Sequence, residues 1–209
     1  MQILDQRIKF PDVSQASADG LLAIGGDLSP ERLIEAYSNG IFPWFNAEDP
    51  IMWWSPDPRF VIFPEELKVS KSMRQLFKKK PFQVTQNQNF EAVIRNCSVA
   101  KRHDQDGTWI IEYMIEAYLN LHKLGYAISV EVWQEDELVG GLYGLDLGNN
   151  VFCGESMFTK VSNASKLAFI YLVQSNLYKL IDCQVYNDYL ASLGAREISR
   201  NDFLNILIY

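Results

Sequence analysis

The chain has 209 residues, 48% of them apolar, and a formal charge of −7 at neutral pH. That is enough apolar material for a substantial core, and it fits one large domain or one domain with a small companion. Neither a membrane-spanning nor a secreted chain is indicated: no run of about eighteen apolar residues occurs, and Met1-Gln2-Ile3-Leu4-Asp5 offers neither a basic leader nor a long apolar stretch, so the cytoplasm is the expected location. Cys97, Cys153 and Cys183 are odd in number and widely spaced, and His103 and His122 are the only histidines. Reduced thiols, no metal and no cofactor are expected from that pattern.

Residues 1 to about 60 have a character of their own. Leu21-Leu22-Ala23-Ile24-Gly25-Gly26-Asp27-Leu28 leads to Ser29-Pro30, which opens a helix that Gly40 can close, with Ser at the cap, Pro in the first turn and Gly past the last. The stretch from Ile41 to Arg59 is irregular and rich in Pro and Trp, suited to a packed lobe or a pocket wall. From about residue 61 the pattern is α/β, so residues 1–60 are expected to form a small N-terminal domain and residues 61–209 a larger one. Ser70 caps a helix through Phe77. Lys71, Arg74 and Lys78 share one face of it, and with Lys79 and Lys80 they make a basic patch on an acidic protein, either a solvated helix face or a contact for phosphates.

Ile111, Met114, Ile115, Tyr118 and Leu121 form the apolar stripe of a helix that Gly125 ends. Ser129–Trp133, Leu138–Leu145 and Val151–Met157 then read as three antiparallel strands, the second turn carrying Gly148-Asn149-Asn150. Ser162 or Asn163 caps a further helix over residues 166–176. In the strand Leu180-Ile181-Asp182-Cys183-Gln184-Val185, Ile181, Cys183 and Val185 share an apolar face, while Asp182 and Gln184 share the other. Asn187 begins a short helix that Gly194 can end. An acid and an amide therefore stand together at a strand-to-helix corner, where a ligand can approach. A polar strand edge facing water accounts for the same residues.

This order of elements resembles the core of the GCN5-related N-acetyltransferase superfamily: a mixed, largely antiparallel sheet with flanking helices, here with a small N-terminal domain added. The superfamily's glycine-rich coenzyme A loop is replaced by Phe158-Thr159-Lys160-Val161-Ser162-Asn163-Ala164-Ser165-Lys166. Without those glycines the backbone cannot wrap a pyrophosphate in the same way, although amides at the helix start could still hold a phosphate. An acyl donor other than acetyl-coenzyme A is expected.

Six blocks in order resemble the bacterial leucyl/phenylalanyl-tRNA-protein transferases. They are Gly20–Pro30, Gly40-Ile41-Phe42-Pro43-Trp44-Phe45, Trp53-Trp54-Ser55-Pro56-Asp57-Pro58-Arg59, Gly107-Thr108-Trp109-Ile110, Phe152-Cys153-Gly154-Glu155-Ser156-Met157-Phe158 and Ile181-Asp182-Cys183-Gln184-Val185. The resemblance implies a cytoplasmic, monomeric enzyme that moves Leu or Phe from aminoacyl-tRNA to the N-terminal Arg or Lys of a protein, marking it for degradation by the N-degron pathway. It assigns catalysis to Asp182 and Gln184. The hypothesis for their roles is that Asp182 binds the attacking amine and Gln184 relays or orients by hydrogen bonding.

By the same resemblance an apolar pocket for Leu and Phe, admitting Met, is walled by Trp44, Trp109, Leu142, Phe152 and Ile181, although core packing uses the same residue types. Glu155 is expected to hold the acceptor's amine or its cationic head, with Asn187 in support, and Lys71, Arg74, Lys78, Lys79 and Lys80 to carry the tRNA. Two departures stand out: Leu142 replaces a common Met, and the chain stops at Tyr209, short of the longer tail of many members, as either a naturally short or a trimmed form would. A coenzyme A-dependent acetyltransferase and a non-catalytic tRNA- or peptide-binding module remain the rival readings.

Overall fold

The computed structural model describes residues 2–79, 81–100 and 108–208. The N-terminal part holds β1 (Gln2–Leu4), β2 (Leu21–Gly25), helix α1 (Pro30–Ser38), β3 (Phe42–Pro43) and β4 (Met52–Trp54), whose strands form a four-stranded sheet in the order β1-β2-β4-β3. Helix α1 starts as its sequence dictates. The Ser29 hydroxyl accepts from Arg32 N–H, Pro30 occupies the first turn, and Gly40 leaves the helix at φ +70°, a conformation that costs a glycine little.

The remainder forms β5 (Arg59–Ile62), α2 (Lys71–Lys79), β6 (Gln83–Gln86), α3 (Phe90–Val99), α4 (Glu112–Lys123), β7 (Ala127–Gln134), β8 (Glu137–Asp146), β9 (Val151–Thr159), α5 (Ala164–Val173), β10 (Leu180–Gln184), α6 (Asp188–Ser192), β11 (Arg196–Ile198) and α7 (Arg200–Ile208). Its strands make a seven-stranded sheet in the order β11-β5-β10-β9-β8-β7-β6. Among the described residues β9 and β10 are the one parallel pair in it, as a helical crossover such as α5 permits; the rest of the sheet is antiparallel. The fold is therefore mixed α/β, a largely antiparallel sheet with flanking helices, as expected.

Strand alternation sorts the core into two clusters. In β5, Phe60 and Ile62 enter the cluster beneath α2 and α5, while Val61 enters the one shared by α1, α3, α4 and α7. That second cluster also contains Leu22, Phe42 and Trp53, so the four-stranded sheet shares one continuous core with the larger sheet.

The structure departs from the sequence reading at three places. Asn163 precedes α5 in a left-handed conformation at φ +71° with no side-chain cap bond, and α5 ends at Val173. Past Gly194, where the sequence reading stopped, Arg196–Ile198 is an edge strand on β5 and α7 follows it. Helix α3 and strand β6 were passed over: α3 carries its signal in the Asn89 cap and the stripe Phe90, Val93, Ile94 and Cys97, while β6, Gln83-Val84-Thr85-Gln86, is a short, half-exposed edge with little apolar alternation.

Candidate functional site

Strands β9 and β10 pair at Val151 with Leu180, Phe152 with Ile181 and Cys153 with Asp182, and then part, although β9 runs on to Thr159 and β10 to Gln184. Past the last pair, Gly154, Glu155, Ser156 and Met157 on one strand and Cys183 and Gln184 on the other are only half-buried. The sheet thus opens into a fork. Its cause is local: the register of β10 on β5 shifts between Asp182 and Gln184, and Gln184 sits at φ +66°. A non-glycine residue there costs on the order of 1–3 kcal/mol, strain that concentrates where a side chain must be aimed for function.

At the base of the fork Asp182 is fully buried against Arg59, itself 1% exposed. Arg59 Nε donates to Asp182 Oδ1 at 2.8 Å and Nη2 to Oδ2 at 2.6 Å, a bidentate pair, while Nη1 donates to Gly40 O at 3.1 Å. The guanidinium lies over the rings of Phe42 and Phe203, at 4.8 and 4.6 Å. Burial disfavours the charged guanidinium, but the Asp182 charge and hydrogen bonds outweigh it and hold Arg59 above its ordinary value. Asp182 Oδ1 also accepts from the Gln184 backbone N–H at 2.9 Å, fixing the bulge.

At the mouth, Gln184 Nε2 donates to Glu155 Oε1 at 2.8 Å. Glu155 Oε1 also meets Tyr37 Oη at 2.6 Å, Oε2 meets Tyr118 Oη at 2.8 Å, and the two tyrosine oxygens lie 2.5 Å apart. Burial pushes Glu155 up to about 7, the Tyr37 and Tyr118 hydroxyls oppose that shift, the Asp182 charge adds to it and the Gln184 amide opposes it. Burial, reinforced by the Glu155 charge, raises both tyrosines well above their ordinary range, so they stay neutral.

The structure joins Asp182, Gln184 and Glu155 into one hydrogen-bonded network, but it changes what two of them can do. Asp182 does not open onto the fork: both of its oxygens are occupied, and direct contact with an incoming amine requires breaking the pair with Arg59. Glu155 is likewise bonded through both oxygens, so the expected grip on a cationic head meets a carboxyl that is already engaged.

Of the expected pocket wall, Leu142, Phe152 and Ile181 share the cluster beneath α5 and are buried. Trp109 is in the other cluster, and Trp44, 36% exposed, packs its ring on Trp54 at 5.9 Å. The side-chain oxygen of Asn187 caps α6 through Leu190 N–H. Lys71, Arg74, Lys78 and Lys79 are exposed on α2, whose Met73 packs in the α5-side cluster; Lys80, His103 and Gly107 lie outside the described residues.

Sequence reasoning passed over Arg59, Tyr37 and Tyr118. The signals were there: a buried Asp requires a cation, and a buried tyrosine hydroxyl on an apolar helix face requires a polar partner.

Residues 61–208 match the family profile described as Leucyl/phenylalanyl-tRNA protein transferase, and residues 26–57 match that of its N-terminal domain. Curated relatives named Leucyl/phenylalanyl-tRNA--protein transferase include one from Flavobacterium johnsoniae, 62% identical over 99% of both chains. Another, from Christiangramia forsetii, is 57% identical over the whole of both. A third, from Shigella dysenteriae, is 52% identical over 99% of this chain and 89% of its own. Two solved structures are more remote. The L-PGS structure from Bacillus licheniformis has a TM-score of 0.44 and 12% identity, covering 80% of this chain and 54% of its own. A GCN5-related N-acetyltransferase from Kribbella flavida has a TM-score of 0.40 and 10% identity over 81% and 61%. Likenesses this distant carry nothing about chemistry.

Proposed function

The chain belongs to the leucyl/phenylalanyl-tRNA protein transferase family and is an aminoacyltransferase, and from that premise we propose that it transfers Leu, Phe or Met from aminoacyl-tRNA to the N-terminal Arg or Lys of acceptor proteins. The products are substrates of the N-degron pathway, and the enzyme works as a cytoplasmic monomer without a cofactor. The acceptor's α-amine attacks the aminoacyl ester, the carbon–nitrogen bond forms, the bond to the ribose oxygen breaks, and the proton lost by the amine ends on that oxygen. The unperturbed amine titrates near 7.7–8.0, so a useful fraction is neutral at pH 7 and positioning supplies much of the rate.

The observation that carries this reading is the Gln184 carboxamide, tied by its nitrogen to Glu155 at the open mouth of the fork. Its oxygen accepts no hydrogen bond among the described residues, which leaves it for the N–H of the attacking amine. Asp182 acts through the Arg59 pair and the Gln184 backbone rather than by touching substrate. Trp44, Trp109, Leu142, Phe152 and Ile181 wall the aminoacyl pocket, and residues 1–60 are a small domain that contributes Tyr37 to the site. Incubation with Phe-tRNA and an Arg-starting peptide, followed by mass measurement, should show one added Phe per peptide and none without tRNA. Acetylation from acetyl-coenzyme A in place of that product would establish the rival activity.

The exposed cations of α2 are the proposed tRNA contact. Neutralising Lys71, Arg74 and Lys78 together should weaken tRNA binding and reduce the slope of log K against log salt by about 2–3, since each lost phosphate contact releases one fewer counterion. An unaltered slope would place the contact elsewhere.

A further inference from the structure

Proton counting around Glu155 constrains its charge. Tyr37 Oη, Tyr118 Oη and the Glu155 carboxyl make three mutual contacts of 2.5, 2.6 and 2.8 Å. Each contact that short is a hydrogen bond and needs its own proton. The two hydroxyls bring one each. With Glu155 ionised, one contact is left as two bare oxygens facing each other; with Glu155 neutral, the count closes. Oε2–H then donates to Tyr118, Tyr118 to Tyr37 and Tyr37 to Oε1, where the Gln184 amide also donates.

We propose that Glu155 is a neutral carboxylic acid in the working enzyme, and that the closed ring it forms with Tyr37 and Tyr118 is a positioning device for Gln184, holding the carboxamide with its nitrogen inward and its oxygen toward the acceptor amine. The inference rests on the transferase reading and deepens it. Ionised Glu155 would leave the ring one proton short, so that two of its oxygens move apart and the carboxyl that aims the Gln184 amide shifts, and it would add a negative charge that keeps the acceptor amine in its unreactive ammonium form.

The surrounding groups agree with a neutral acid. Asp182 on β10 repels a second negative charge, and the cation beside it, Arg59 on β5, is committed to Asp182. Tyr37 on α1 and Tyr118 on α4 are neutral, Tyr143 on β8 packs edge-on to Tyr118, and burial raises the Cys153 thiol on β9 well above its ordinary value. Burial places the titration of Glu155 at about 7 against an ordinary 4.5. The acid therefore keeps its proton far above the ordinary carboxylate range, and the ring opens as pH rises past about 7.

Glu155→Gln is the discriminating variant, because its NH2 can donate to Tyr118 and its carbonyl can accept from Tyr37 and Gln184, reproducing the neutral ring. Single-turnover transfer below pH 7 should fall less than about tenfold in Glu155→Gln and more than about a hundredfold in Glu155→Ala. Wild type should show a declining limb above pH 7, beyond the rise from amine deprotonation, that Glu155→Gln lacks.

Independently of transfer, wild type at pH 6 should show the infrared carbonyl stretch of a protonated acid, absent in Glu155→Gln and weakened at pH 9. Folding stability supplies a further check. Because the folded state binds this proton more tightly than the unfolded chain, wild type should lose stability relative to Glu155→Gln as pH rises from about 4.5 through about 7. A missing carbonyl band, Glu155→Gln as impaired as Glu155→Ala, or a declining limb kept by Glu155→Gln would each overturn the proposal. A wild type that shows the band but transfers nothing would instead overturn the transferase reading.

Discussion

Asp182→Ala is expected to lower the free energy of unfolding by about 3–5 kcal/mol, which for a domain of this size is a large part of the total. The loss comes less from the attraction removed than from the charge left behind. Arg59 is 1% exposed, and its remaining bond is to Gly40 O, so without Asp182 a guanidinium sits between two phenyl rings with no counterion. Replacing both partners removes both charges, and Arg59→Met with Asp182→Leu should recover most of the stability.

Transfer should stay lost in that double variant, because Asp182 Oδ1 also holds the Gln184 backbone N–H in the bulge. Denaturant unfolding of the two single variants and the double, with single-turnover transfer on each folded protein, separates the effects. A single Asp182→Ala variant that unfolds at the wild-type midpoint would show that the pair carries no stability, and full transfer in the double variant would remove Asp182 from the site.

Gln184→Gly should cost about 10²–10³ in transfer rate while leaving the protein at least as stable as wild type. Two effects act on stability with opposite signs. Glycine removes a strain of about 1–2 kcal/mol at φ +66°, and it widens the unfolded ensemble by about 0.4–1 kcal/mol. The side chain removed is half-exposed, so little packing is lost. Gln184→Ala keeps the strain and loses the carboxamide, so it should be as slow as the glycine variant but less stable. If the carboxamide had no functional purpose, Gln184→Gly, which suits φ +66° better, would keep its rate. That outcome would move the chemistry away from the fork.

Both predictions turn on contacts that no local pattern encodes. Arg59 and Asp182 are 123 positions apart, and Glu155 lies 118 from Tyr37 and 37 from Tyr118. Which pairs meet depends on the strand order β5-β10-β9 and on the register at Asp182, and neither can be read from a single strand's alternation. The sequence placed Tyr118 on a buried helical stripe and Glu155 in a strand. It could not show that their polar ends face each other across the sheet and share a proton.

By itself the sequence determined whatever depends on neighbours a few positions apart: the Ser29 and Ser70 caps, the stop at Gly40, the basic face of α2, the β7–β8–β9 meander, and the side on which Asp182 and Gln184 lie. Its ordered motif blocks also marked the family. Those features follow from backbone periods of two and 3.6 residues, which every segment obeys on its own. Only the tertiary structure decided that Asp182 is neutralised by Arg59, that Glu155 closes a ring with two tyrosines, and that β9 and β10 part to leave Gln184 at an opening. Charge pairing and proton sharing depend on distances across the core, and those are set only when the sheet has taken its register.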